Sequence, residues 1–137
     1  DIKDGTTLVH VRRGDYVDID ENLDIKFYEE AINFCKSKID KFSFEVFTDD
    51  FKWVSEQNIF REAEVIHGPK DNIEELLLDV TKMFNFQNFI VGNSTLPLIP
   101  AIFSSSKKSI TIIANPWMKN SSNNLNFEKS WIRINNY

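Results

Sequence analysis

Thr7-Leu8-Val9-His10-Val11-Arg12-Arg13-Gly14-Asp15-Tyr16 runs apolar, turns cationic within two residues and then meets a glycine. The first half reads as a buried strand. Val9 and Val11 fall on one face, and His10 and Arg12, two apart, emerge on the other. The second half reads as a turn. A basic cluster where a buried strand meets a glycine loop suits a phosphate, because a guanidinium is always charged and binds oxyanions through two parallel hydrogen bonds. Two readings fit these residues: a diphosphate clamp with Arg12 as its main ligand, or a strand-end ion pair of Arg13 with Asp15.

Outward from this stretch, short β-branched and aromatic runs alternate with helical patterns. Strands are predicted over 6–12, 42–48, 63–67, 89–92 and 109–114, the last two nearly continuous apolar runs of the kind covered on both faces. Helices are predicted over 26–39, 50–57, 72–85 and 95–105. The first carries Phe27, Ala31, Phe34, Cys35 and Ile39 at helical spacing behind Asp24 as N-cap. The third carries Ile73, Leu76, Leu77, Val80 and Phe84 behind Asn72, with Glu74 and Glu75 in its first turn. Pro97 suits a first turn, whereas Pro100 predicts a kink or a break. The alternation predicts an α/β fold: a parallel sheet of about five strands with helices on both faces, and ligands beyond the carboxyl ends of the strands. The most polar sequences do follow the strands. The tail, 119–137, is rich in Asn and Ser and ends in Trp131-Ile132-Arg133-Ile134, which predicts a loop and then a short segment docked on the domain.

The 137 residues suit one domain, and 42% hydrophobic with 27% charged residues is an ordinary globular composition. A net charge of −5 argues against a general nucleic-acid binder, whose affinity comes from many phosphate contacts. Cys35 is the only cysteine, so no internal disulfide forms, and its apolar surroundings make it a small core residue. No apolar run approaches the ~18 residues of a membrane span, so any membrane association is peripheral and a reducing cytoplasm is the default location. Residues 1–5 read as a linker, and the chain reads as one domain of a larger protein. Asn93-Ser94-Thr95 and Asn120-Ser121-Ser122 match the glycosylation acceptor pattern, with nothing else to suggest secretion.

Three further groups are candidates. Asp49 and Asp50 follow the second strand. As a pair they could hold a metal, accept from a sugar hydroxyl or a base N–H, or, for one of them, cap the next helix. Gly92-Asn93-Ser94-Thr95 follows the fourth strand, where glycine frees the turn and N–H and hydroxyl groups at a helix start make an anion site. His67 reads as a satisfied loop histidine without a zinc-spaced partner, and Trp53 and Trp117 as packing residues. Walker and G-x-G-x-x-G signatures are absent.

Taken together, four segments resemble the α-1,2-fucosyltransferases of glycosyltransferase family 11. They are His10-Val11-Arg12-Arg13-Gly14-Asp15-Tyr16; Phe47-Thr48-Asp49-Asp50-Phe51-Lys52-Trp53-Val54; Glu75-Leu76-Leu77-Leu78-Asp79 followed by Phe89-Ile90-Val91-Gly92-Asn93-Ser94-Thr95; and Ile112-Ile113-Ala114-Asn115-Pro116-Trp117-Met118. The resemblance implies the Rossmann-like C-terminal half of a GT-B fold that binds GDP-fucose. It implies transfer with inversion to a glycan hydroxyl, α-1,2 to galactose, no required metal or other cofactor, and an N-terminal half that supplies acceptor contacts. It places Arg12 on the donor β-phosphate with His10 beside it, and makes Arg13, Asp49, Asp50, Asn93, Ser94 and Thr95 donor contacts. One segment departs: where the family has F-S-W-W-G-A-W, this chain has Leu96-Pro97-Leu98-Ile99-Pro100-Ala101-Ile102. The competing expectations are a flavodoxin-like receiver module and an inactive homologue that scaffolds a partner.

Overall fold

The computed structural model describes residues 5–120 and 127–137. Among them, six strands alternate with helices in the order β1 (Thr6–Val11), α1 (Gly14–Asp18), α2 (Ile25–Lys38), β2 (Ser43–Thr48), α3 (Phe51–Glu56), a 3₁₀ turn (Asn58–Phe60), β3 (Ile66–His67), α4 (Ile73–Met83), β4 (Asn88–Gly92), α5 (Leu98–Ser104), β5 (Thr111–Asn115) and β6 (Ile132–Asn135). The strands lie side by side as β3-β2-β1-β4-β5-β6, and every neighbouring pair is parallel. This is the Rossmann-like order, with the reversal between β1 and β4. A flavodoxin-like layout would flank β1 with β2 and β3. Here β1 is flanked by β2 and β4, so that alternative is set aside.

Burial explains the apolar strands. Val9, Val46, Ile90 and Ile112 pack with Phe27, Tyr28, Ala31, Ile32 and Cys35 of α2 on one side of the sheet. Leu8, Phe47, Phe89, Val91 and Ile113 pack with Met83, Ala101, Trp117 and Trp131 on the other. Trp117 is therefore a core ring, tilted against Phe127 with 5.0 Å between ring centroids. Burial pushes the Cys35 thiol up to about 12, which keeps it an inert core group. Two caps match expectation: Asp24 accepts from Lys26 N at 2.9 Å, and Asn72 accepts from Glu75 N at 2.9 Å.

Several elements differ from the sequence-based reading. The segment expected to dock at the end is a sixth strand, in register with β5 from Ile112↔Ile132 to Asn115↔Asn135. Four residues carry little pattern of their own, and the open edge of β5 makes them a strand. The third strand keeps only Ile66 and His67 in the ladder, a short edge of the kind that limits unwanted pairing. The turn expected after Arg13 is the helix α1, closed by Val17 N donating to Arg13 O at 2.8 Å. Pro100 neither kinks nor breaks α5. The helix starts at Leu98, so Pro100 falls in its first turn, where a missing N–H costs nothing. Residues 1–4 of the expected linker, and Ser121-Ser122 of the second acceptor pattern, lie outside the described residues.

Helix α4 departs most. Its apolar residues recur at helical spacing, yet only Asp79 and Met83 are buried, while Ile73, Leu77 and Leu78 stand exposed. Leu76, Val80 and Met83 instead face a cavity of about 830 Å³, whose opposite wall comes from the ends of β1, β2 and β3.

Gly92 ends β4 at φ +67, and a Cβ there would lie 2.9 Å from Leu23 Cδ1. Gly92→Ala therefore combines left-handed strain with an overlap in the core. Its expected cost is about 1–3 kcal/mol, read as a lower denaturation midpoint in urea with an unchanged slope.

Candidate functional site

The cavity opens at the carboxyl edge of the sheet, on the β1 side of the strand reversal, where open α/β sheets bind ligands. Strand β1 brings His10 and Arg12 to it. His10 shares the Leu8 face and is almost fully buried. Burial, and then the neighbouring Arg12 charge, lower its pKa to about 3. His10 is therefore a neutral imidazole, not a second cation, and its Nδ1 has no hydrogen-bond partner among the described residues.

Arg12 lies one residue past the end of β1. Its Nη2 donates to Asp15 Oδ1 at 2.7 Å, its Nε stands 3.4 Å from Asp49 Oδ2, and its guanidinium carbon lies 5.3 Å from the Tyr16 ring centroid. The side chain stays 36% exposed and borders the cavity, so a ligand can reach it. The Arg13–Asp15 pair is not formed; Asp15 belongs to Arg12.

Arg13 turns away. Its Nε donates to Asp50 Oδ2 at 3.2 Å, and its guanidinium carbon sits 4.0 Å from the Trp53 ring centroid. It is absent from the cavity wall, as is Asp50, whose other oxygen caps α3 by accepting from Trp53 N at 3.0 Å. The two adjacent acids thus divide. Asp50 caps, while Asp49 lines the cavity and accepts from Arg13 N at 2.8 Å. Thr48 joins the wall, donating to Val11 O at 2.9 Å and accepting from Asp50 N at 3.0 Å. Among the described residues, no group of three His, Cys, Asp or Glu side chains is placed to hold a metal ion.

The Asn93-Ser94-Thr95 segment does not start a helix, because α5 begins three residues later at Leu98. Asn93 is buried, with its Nδ2 donating to Glu21 O at 2.8 Å and its carbonyl accepting from Tyr16 Oη at 3.2 Å. Those bonds tie α1 and the loop after it to the end of β4. They leave Asn93 neither in the cavity nor open to glycosylation. Ser94 is also buried and off the cavity wall; Thr95 is exposed and on it.

Three polar residues of the wall were not anticipated as site residues. His67 stacks on Phe47 (ring centroids 4.1 Å apart, 12° between planes) and pairs through Nε2 with Glu45 Oε1 at 2.8 Å. Asp79 is a buried carboxylate between Lys70 and Lys82, with Nζ at 3.7 and 3.8 Å. Lys70 lines the cavity from the loop after β3. The signal for Asp79 was present in the sequence: it is an acid within the otherwise apolar stripe formed by Leu76, Val80 and Met83.

The model of Glycosyl transferase family 11 matches residues 3–135. The chain belongs to this family. It is 30% identical to an alpha-1,2-colitosyltransferase of Escherichia coli, over 92% of this chain and 46% of that protein. It is 25% identical to the O-antigen biosynthesis glycosyltransferase WbnK of Escherichia coli, over 94% of this chain and 44% of that protein. The chain thus spans less than half the length of these relatives. No solved structure matches it closely. No helix among the described residues is long and apolar enough to cross a membrane.

In this family 11 chain, the neutral state of His10 has a cost in acid. The unfolded chain takes up a proton near the ordinary value of 6.5, while folded His10 resists protonation down to about 3. Between those values the unfolded state binds more protons, so the contribution is complete above pH 6.5 and is lost as the pH falls. By pH 5 the loss amounts to about 2 kcal/mol. His10→Gln should flatten the fall in unfolding free energy between pH 6.5 and 4.5, measured by urea titration at each pH.

Proposed function

We propose that this chain is the donor-binding half of a transferase that takes fucose from GDP-fucose and passes it, with inversion, to a glycan hydroxyl, α-1,2 to galactose. The observation that carries the reading is Arg12: a solvent-reachable guanidinium at the carboxyl edge of β1, bordering an 830 Å³ cavity whose neighbour His10 keeps an unpartnered nitrogen. The family membership and the spacing of the four segments support it.

In this reading the acceptor oxygen forms a bond to the sugar C1 as the bond from C1 to the β-phosphate oxygen breaks. The sugar passes through an oxocarbenium-like state, and negative charge gathers on the departing GDP. Arg12 meets that charge with two parallel N–H donors, which gain strength as the charge grows. Neutral His10 contributes a hydrogen bond and no charge. The acceptor proton leaves to a base, and Asp15 is already committed to Arg12. The N-terminal half supplies the acceptor contacts and the base.

A second donor deserves the same test. Leu96 and Ile99 of the departing segment line the cavity, and one relative is named a colitosyltransferase. Colitose is fucose without its 3-hydroxyl, so an apolar wall leaves one fewer sugar hydroxyl unsatisfied.

Calorimetry of the full-length protein with GDP, ADP and UDP tests the nucleotide. Preference for GDP is expected, and absence of binding to all three overturns the reading. In the same protein, Arg12→Ala should lower turnover on the order of 10²–10³-fold. Turnover at the wild-type level would remove Arg12 from the mechanism. Comparing GDP-fucose with GDP-colitose as donors decides the sugar.

A further inference from the structure

The arginine side of the cavity is short of positive charge. Arg12 faces both Asp15 and Asp49, so one guanidinium meets two carboxylates, while Arg13 and Asp50 pair off the cavity wall. His10 adds no charge. A diphosphate entering beside Arg12 alone would meet a cation already offset by its own neighbours.

The cluster formed by α4 and the loop after β3 has the reverse imbalance. Buried Asp79 is flanked by two lysines, one on each oxygen: Lys70 Nζ is 3.7 Å from Oδ2 and Lys82 Nζ 3.8 Å from Oδ1. Neither distance is a hydrogen bond, so neither ammonium is locked. Lys82 is more than half exposed and is not on the cavity wall, whereas Lys70 is about three-quarters buried and lines it. One lysine suffices to offset the buried carboxylate. The second is surplus, and it is the one that faces the cavity. Its position is fixed by the loop after β3. Pro69 restricts φ there, and Gly68 lies against Phe51, where a Cβ would come within 3.3 Å of the ring.

We infer that Lys70 is the second cation of the diphosphate site: it leaves Asp79 to Lys82 and contacts the donor phosphates from the loop after β3. The inference rests on the nucleoside-diphosphate reading of the cavity and assigns to Lys70 the part that the sequence had suggested for Arg13. A flexible ammonium suits it, because three rotatable donors can follow a phosphate whose position changes as the sugar leaves. Arg13, held between Asp50 and the Trp53 ring, has no such freedom.

The test uses the full-length protein and compares GDP with guanosine, which lacks phosphates. Lys70→Gln should weaken GDP binding roughly 10- to 100-fold, the loss of one hydrogen-bonded charge contact. Guanosine binding and the melting temperature should stay at the wild-type level. Lys70→Arg should recover most of the GDP affinity, and Lys70→Gln should flatten its dependence on ionic strength. Unchanged GDP affinity in Lys70→Gln overturns the inference. So does an equal loss for guanosine and GDP, which would mean that Lys70 acts only by holding Asp79. If the wild-type protein binds GDP and Lys70→Gln is silent, this assignment alone falls. If the wild-type protein binds no nucleoside diphosphate, the donor reading falls and takes Lys70 with it.

Discussion

The Asp49 carboxylate joins the exits of two strands. One oxygen accepts from Arg13 N at 2.8 Å, which holds the chain leaving β1 against the chain leaving β2. The other stands 3.4 Å from Arg12 Nε, an ion-pair contact without a hydrogen bond. Gly14 follows from the same contact, because a Cβ there would lie 2.5 Å from Asp49 Oδ2. The backbone of β1, the absence of a side chain at position 14 and the charge of Arg12 thus share one carboxylate. Asp15 and Asp49 offset the Arg12 charge, and that deficit is what motivates the role proposed for Lys70.

Helix α4 provides the other half of the site. Its apolar stripe does not close on the sheet, and the space between them becomes a cavity with two characters. Leu76, Val80 and Met83, with Leu96 and Ile99 from the segment around α5, form an apolar side; Arg12, Asp49, Lys70 and Asp79 form a charged one. The nucleotide-sugar donor proposed above has both characters, a charged diphosphate and a sugar with an apolar face. Stability is concentrated elsewhere, in the α2 side of the sheet and in the Phe47–Phe89–Trp117 side.

Much of this was legible in the chain itself. β-branched and aromatic runs marked β1, β2, β4 and β5, since a strand buried on both faces has few other compositions. The caps at Asp24 and Asn72 were readable because each is a contact within three residues. Arg12 was readable because a cation directly after a buried strand has few structural uses. Arg13 misled for an instructive reason: its partners, Asp50 and Trp53, lie more than 35 residues away, and no local pattern reports such pairing. Ser94 lies buried off the cavity wall, since the expected helix start is displaced to Leu98 by Pro97 and the turn before it, whereas Thr95 does line the cavity.

The order of elements, the parallel sheet, the cationic end of β1 and the family resemblance were all determined by the sequence, because each depends on residue type and short-range spacing. The tertiary structure decided which of two adjacent arginines borders the cavity, which of two adjacent acids caps a helix, and that Lys70 and Asp79 line the same cavity. It also made a strand of four residues at 132–135. Each of these depends on groups brought together across the sheet, where packing and charge balance choose among local alternatives of nearly equal energy.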